Sequence, residues 1–391
     1  MRRLLELLKT LEENSMLEWK KLVSVSEVQY GYPFESSLFS EDSNFIPLIR
    51  IRDVKPAKAS TYYSGEILEE YVVTKGDILV GMDGEFNLGK WNDRDGLLNQ
   101  RVLKLTGKKG ICLDGYLFHY MGPVFKKIEK QTAGGSVKHL SAKVINAIKI
   151  PVPSITEQTR IVGILDTFTA SIENLKQQIA QRRKQYEHYR DQLLDLEGKE
   201  GVEMKAINQV ANSFTGLTYK PTDVADSGTL VLRSSNIAED TLSFTDNVYV
   251  LMENIPARVI VKEGDVLICV RNGSKRLVGK CAMISKEAAG MAFGAFMTIL
   301  RGTNINNKYL FYVWQSEKVK KQYKGDEAMP IAQITAKDFQ RIIIPVPTIN
   351  EQQRIVSILD TFEAGIANLE QQLAQRERQY EYYRNQLLTF E

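Results

Sequence analysis

The sequence predicts a mixed α/β (α+β) protein: two globular domains joined by two long antiparallel helices that form an intramolecular coiled coil with pseudo-twofold symmetry. Three observations predict it. The 391 residues exceed what one hydrophobic core organises. The segment 148–197 recurs without a gap at 342–391, about two thirds identical, as IKIPVPSITEQTRIVGILDTF and IIIPVPTINEQQRIVSILDTF show. The stretches outside the copies are short β-branched and aromatic runs broken by Gly, Asn and Asp, the pattern of mixed domains.

In chain order, Leu4, Leu5, Leu8 and Leu11 form an apolar stripe, which predicts a helix over 1–16 that packs on the helix pair or on a partner. A first globular domain covers 17–150, a helical spacer 151–198, a second globular domain 199–344 and a second spacer 345–391. Each spacer opens on Pro-Val-Pro, which cannot continue a helix. Ser154 three residues before Glu157, and Thr348 before Glu351, then read as capping boxes. Beyond them, Ile161, Leu165, Phe168, Ile172, Leu175, Ile179, Tyr186, Tyr189 and Leu193 alternate steps of four and three, with a jump after Ile179. Ile355, Leu359, Phe362, Ile366, Leu369, Leu373, Tyr380, Tyr383 and Leu387 repeat them. The result is two helices of about 40 residues, each about 60 Å long. Arg182 and Arg376 interrupt the two seams at equivalent places, either as stems snorkelling at the surface or as a polar layer that fixes register.

The two globular domains also match each other weakly. LEWKKL pairs with GVEMKAI, KGDILVGM with EGDVLICV, and HLSAKVI with QITAKDF. Equivalent domains at equivalent helix ends require the helices to run in opposite directions. Similar scaffolds with different surface residues, set apart by nearly identical helices, suggest two ligands of one class held at a fixed distance.

Composition narrows the function. Apolar residues at 43% and charged residues at 25% describe a globular protein. No stretch approaches the ~18 apolar residues of a membrane span, and the N-terminus lacks a cleavage signal, so a cytoplasmic location is expected. Cys112, Cys269 and Cys281 have no CxxC spacing and read as buried thiols. His119, His139 and His188 lack metal spacing, which argues against zinc chemistry. A net charge of +3 is too small to indicate nucleic acid by itself.

The order of variable domain, PVP-I-EQ helix, variable domain and second PVP-I-EQ helix resembles the specificity subunits of type I restriction-modification systems over nearly the whole chain. KGDILVGMDGEFNLGKW from Lys75 and LLNQRVLKL from Leu97 look like the interior of that family's target-recognition domains. The second domain has ICVRNGSKRLVGK and AFGAFMTIL in the equivalent places. The resemblance implies that each globular domain is a target-recognition domain reading one half of a bipartite, asymmetric target in double-stranded DNA. It implies that the helices set the gap and dock two methyltransferase subunits, and that restriction subunits join this core. S-adenosylmethionine and ATP would belong to those partners, leaving this chain non-catalytic and without a cofactor. A protein- or glycan-binding coiled-coil scaffold is the rival reading.

DNA reading needs cations for phosphates and planar donors or acceptors for base edges. The second domain offers Arg271, Asn272, Ser274, Lys275 and Arg276 in a glycine-containing basic loop, followed by Lys280. The plain alternative is a solvated turn. Arg233, Ser234 and Asn236 are further candidates, with a strand-edge loop as the alternative. In the first domain the candidates are Arg50, Arg52, Lys55, Asn87, Lys90, Trp91, Asn99, Gln100 and Arg101. The Asn-Gln-Arg run could equally hold a structural arginine against carbonyl groups.

The chemistry of the expected partners is missing from the sequence. Neither a cofactor-binding glycine loop nor the Asn/Asp-Pro-Pro-aromatic motif of amino-methyltransferases occurs, and Gly31-Tyr32-Pro33-Phe34, the nearest look-alike, reads as a turn. Asp77, Asp83 and Glu85 are grouped, but Asp77 lies in a Gly-Asp turn. The run 133–138 lacks the spacing of a phosphate-binding loop.

Overall fold

The structure, a computed structural model, describes residues 17–131, 139–324 and 333–390. The apolar N-terminal stripe and the run 133–138 lie outside the described residues. The chain forms two compact units that do not follow chain order: one combines 1–175 with 372–391, the other is 176–371.

In the first unit, strand Glu18–Lys21 pairs antiparallel with Lys149–Val152, so the entry and exit of the globular segment form one ribbon. A four-stranded antiparallel sheet follows, in the order Ser26–Tyr30, Val102–Gly107, Ile78–Gly81, Leu88–Lys90. Its apolar face and the Asp114–Gln131 helix share a core built on Ile78, Val80, Leu103, Tyr116, Leu117 and Phe125. A second, five-stranded sheet includes Ile46–Ile49 parallel to Gly96–Leu98. The second unit repeats this plan. Glu203–Ala206 pairs with Ile343–Val346, and the antiparallel sheet runs Ala211–Thr215, Met297–Gly302, Val266–Cys269, Cys281–Met283. A smaller sheet sets Thr229–Leu232 parallel to Ala292–Phe293.

Two 40-residue helices, Ile155–Leu194 and Ile349–Leu388, have the length expected of the helical repeats. Each capping box is half made. Ser154 Oγ accepts from Glu157 N at 3.3 Å and Thr348 Oγ from Glu351 N at 3.4 Å. The carboxylates, however, take the guanidinium groups of Arg160 and Arg354 one turn on rather than reaching back. Within the second unit the helix segments run antiparallel, because Arg183, Tyr186 and Tyr189 meet Glu370, Glu363 and Phe362 in falling order. In the first unit Phe168 stacks on Tyr383 at 5.2 Å. Arg182 is exposed and Arg376 half-buried. Each donates to the glutamine three residues on, Gln185 or Gln379, and Arg376 also lies over the Phe168 ring of the other helix at 5.8 Å.

What fixes each helix to its globular segment was not read in the sequence. The glutamine of the EQ pair is buried in both copies, Gln158 at 0% and Gln352 at 2% exposure. Gln158 accepts from Leu113 N at 2.8 Å and donates to the carbonyls of Ile111 and Pro153, both at 2.9 Å. Gln352 accepts from Asn306 N and donates to Pro347 O. Tyr116 and Tyr309, in the shared Tyr-Leu-Phe of the globular helices, donate to the carbonyls of Pro151 and Pro345. One turn further on, His119 Nε2 lies 2.7 Å from Asp166 while Nδ1 lies 2.9 Å from the Tyr380 hydroxyl. A carboxylate only accepts, so Nε2 carries the proton and Nδ1 accepts from Tyr380. In the second unit Tyr312 takes the equivalent place and donates to Asp360 at 2.5 Å.

Candidate nucleic-acid interface

In the first unit, six of the predicted residues, Arg50, Arg52, Asn87, Asn99, Gln100 and Arg101, line one cleft of about 490 Å³ together with Phe34, Ser36 and Phe39. Three elements converge there. Arg50 and Arg52 sit where the Ile46–Ile49 strand runs into the short helix Ile51–Val54, which is held by buried Asp53 accepting from Arg50 N at 2.9 Å and from Ser60 Oγ at 2.6 Å. Asn87 lies at the bend after Ile78–Gly81, where its carbonyl accepts from Gly81 N. Asn99, Gln100 and Arg101 form the turn between the strands Gly96–Leu98 and Val102–Gly107, closed by Val102 N donating to Asn99 O.

That turn is pinned. Gly31 N donates to Val102 O, Tyr32 N to Leu98 O, and Gln100 N to Tyr32 O. A Cβ at Gly31 would stand 2.0 Å from the Asn99 carbonyl oxygen, so only glycine permits this approach. The Gly-Tyr-Pro-Phe look-alike is therefore the clamp of the turn. Arg101 adopts φ +72°, a left-handed conformation that costs a non-glycine residue about 1–2 kcal/mol. Its Nη1 donates to Asp83 Oδ2 at 2.8 Å, and Asp83 Oδ1 lies 2.6 Å from His139 Nδ1. Asn99, a residue of the cleft lining, is buried, and its Oδ1 accepts no hydrogen bond among the described residues.

Three first-domain candidates fall elsewhere. Trp91 is a core residue, 1% exposed, packed with Leu79 and Val102 and donating Nε1 to Arg94 O; it has no ring face to offer a base. Lys90 is drawn to Asp166 at 3.7 Å and lies over the Phe118 ring at 4.7 Å, so it serves helix docking. Lys55 is exposed but does not line the cleft.

The second unit joins its two candidate loops directly, since Asn272 Nδ2 donates to Ser234 Oγ at 2.9 Å. Asn272 Oδ1 accepts from Ser274 N, shaping the loop, and Arg271, Ser274, Lys275 and Arg276 are exposed. Arg271 lies over the Phe296 ring at 5.2 Å. Phe296 is 56% exposed and was not foreseen. Arg233 occupies the place of Arg50: its N donates to Asn236 Oδ1 as Arg50 N does to Asp53, and its guanidinium reaches Asp246 at 3.0 Å. Asn236 itself is fully buried, donating Nδ2 to Ser243 O and Asp246 O. Contrary to expectation it is a scaffold residue, with its amide spent on backbone groups and no surface to offer DNA. Lys280 is half-buried, unlike the exposed residues of the loop before it.

The grouped acids have other uses. Asp77 accepts from Thr74 N in its turn and pairs with Lys104, and Asp83 holds Arg101. Among the described residues no group of three or more His, Cys, Asp or Glu could hold a metal ion, and no helix is long and apolar enough to cross a membrane. All three cysteines are buried free thiols, and burial pushes the Cys112 thiol up to about 12.

Comparison with known proteins agrees with this arrangement. A family model described as the type I restriction modification DNA specificity domain matches residues 15–182 and 199–378. The chain is 26% identical over 382 residues to the type I restriction enzyme EcoBI specificity subunit of Escherichia coli, covering 90% of this chain and 80% of that protein. It is 28% identical over 350 residues to the EcoR124I/EcoR124II specificity subunit of the same species, covering 84% of each. The crystal structure of a type I restriction-modification S subunit from M. genitalium shares the fold, with a TM-score of 0.57 over 97% of this chain and 98% of that one at 16% identity. With the family model matched twice across most of its length, the chain belongs to the type I restriction-modification DNA specificity family.

Proposed function

We propose that the chain reads a bipartite, asymmetric DNA target, one half by the globular segment 17–150 and the other by 199–344, while the spacers 151–198 and 345–391 set the distance between the halves. The observation that carries this reading is the pairing of one scaffold with two unlike surfaces. The same sheet order and the same pinned turn recur in both units, yet the turn reads Asn99-Gln100-Arg101 in one and Gly294-Ala295-Phe296 in the other. A protein with two copies of one site would have no use for the difference.

Cationic and amide groups gathered in a cleft and on an exposed loop suit phosphates and base edges. The near-identical helices suit two copies of one methyltransferase subunit docking in equivalent ways, with restriction subunits joining that core in the cytoplasm. Methylation and cleavage, with S-adenosylmethionine and ATP, fall to those partners.

The test is methylation-site sequencing of DNA from cells carrying this chain with a modification subunit that binds it, with and without exchange of the first globular segment for that of another specificity subunit. A bipartite methylated motif that changes in one half only is expected. A motif altered in both halves would overturn the two-reader division, and the absence of any motif despite an assembled complex would overturn DNA reading itself.

A further inference from the structure

We propose that Arg101 in the first unit and Arg271 in the second are equivalent specificity-determining residues, each reading the edge of one guanine in its half of the target. The inference rests on the DNA-reading function above and adds which side chains decide the sequence and which base they select.

The two arginines do not align in sequence, but the backbone places them together. In the first unit, the residue after Ile78–Gly81 is tied to the turn, Met82 N donating to Arg101 O at 2.8 Å. In the second, Val270 N after Val266–Cys269 donates to Phe296 O at 3.0 Å. Val102 N to Asn99 O closes one turn and Met297 N to Gly294 O the other. The same glycine clamp backs both, since a Cβ at Gly216 would stand 2.1 Å from Gly294 O. Arg101 thus corresponds to Phe296, and Asp83 to Arg271. At this junction a guanidinium is supplied by the turn in the first unit, Arg101, and by the residue beyond the strand end in the second, Arg271.

Both guanidinium groups are exposed and held. Arg101 gives one nitrogen to Asp83, which His139 holds from its other side. Arg271 lays its face on Phe296, a contact that uses none of its N–H groups. Each retains paired N–H donors for two acceptors side by side, which among the base edges of the major groove is the O6 and N7 of guanine. A phosphate is the poorer partner for Arg101, because the Asp83 carboxylate bonded to it repels an anion, whereas that carboxylate can accept from the amino group of a neighbouring cytosine. The left-handed backbone at Arg101, retained where glycine would relieve it, fits a residue kept for its side chain.

The full chain, assembled with its modification subunits, would be bound to a pool of randomised DNA duplexes and the bound fraction sequenced, for the wild type and for Arg101→Ala, Arg271→Ala and Arg101→Lys. Thermal melting would check that each variant folds. The wild type should select a guanine in each half. Arg101→Ala should lose about tenfold or more in selectivity at one guanine position of one half, with the other half untouched. Arg271→Ala should do the same in the other half, and Arg101→Lys should retain part of the preference. Weakened binding with every position equally selective would assign these arginines to phosphates and overturn the proposal, as would a half-site selected without guanine. A wild-type complex that selects no sequence would instead overturn the DNA-reading function.

Discussion

At the residue scale, the side chains that most constrain this protein are polar and buried. Gln158 satisfies one backbone N–H and two carbonyls at the point where a globular segment meets its helix. Leaving such groups without partners costs more than the bonds themselves contribute. Gln158→Ala should lower unfolding free energy by about 2 kcal/mol in urea titration; an unchanged midpoint would mean that water replaces the amide freely. His119 makes a second prediction. Burial holds its pKa below the ordinary histidine value, against the opposing pull of Asp166. The unfolded chain therefore binds the proton more readily. The stability that neutral His119 contributes is complete above about pH 6.5 and is lost as pH falls through the lower folded value. His119→Tyr, copying Tyr312, should flatten that acid-side loss, as thermal melting across pH 5 to 8 would reveal. Arg101→Gly belongs here too. It should leave the melting temperature equal or higher, because the left-handed turn favours glycine and the exposed Asp83 pair contributes little.

At the element scale, the apolar repeat of each long helix changes partner along its length. Ile161 and Leu165, like Ile355 and Leu359, are buried in the core of the adjoining globular segment, to which the far end of the other helix also contributes, through Leu387 in the first unit and Leu194 in the second. Phe168 and Phe362 then meet aromatic rings of the other helix, Tyr383 and Tyr189. The two copies differ most tellingly in charge. Arg183 pairs with Glu370 on the other helix and with Glu239 at the tip of a hairpin whose two turn residues, Glu239 and Asp240, have φ of 47° and 62°. In the repeat, Arg183 corresponds to Glu377 and Glu370 to Lys176. The first helix is basic at both positions and the second acidic, an arrangement that favours unlike helices over like ones. Arg183→Glu should cost about 1 kcal/mol, since these pairs are partly exposed. Adding Glu370→Arg should recover part of that, and both effects should shrink in high salt. A double-mutant cycle on the whole chain measures this, and no recovery would remove the charge pair from the account.

At the scale of the whole molecule, neither compact unit is a continuous stretch of chain. The first long helix begins in the first unit and ends in the second, and the second helix begins in the second unit and ends in the first. The core of the first unit accordingly contains Leu387, with Tyr380, Tyr383, Leu388 and Phe390 packed against it. Removing 372–391 should therefore open the N-terminal unit, nearly two hundred residues away in sequence, before the second. Limited proteolysis with mass spectrometry would read this as early cleavage within 17–150 while 199–344 stays protected. Early cleavage of the C-terminal segment instead would contradict the shared core.

The duplication, the two long helices with their length of about 40 residues, and the mixed class of the globular segments were legible in the sequence, because periodicity, caps and repeats are local and are written in one dimension. The sequence also held six residues of the cleft, since Arg, Asn and Gln in short runs are chemically conspicuous. Only the tertiary structure decided which of them share a surface. Trp91 and Asn236 carry groups suited to DNA but are buried, and burial depends on neighbours distant in the chain. Asp83 and Arg271 stand next to each other in the aligned KGDILVGMD and EGDVLICVR, yet their opposite charges acquire meaning only when a backbone bond sets Arg101 against one and Phe296 against the other. The glutamine of the EQ motif is similar: its spacing marks a helix start, while its three partners come from a loop and a strand exit that only the fold brings within hydrogen-bonding distance.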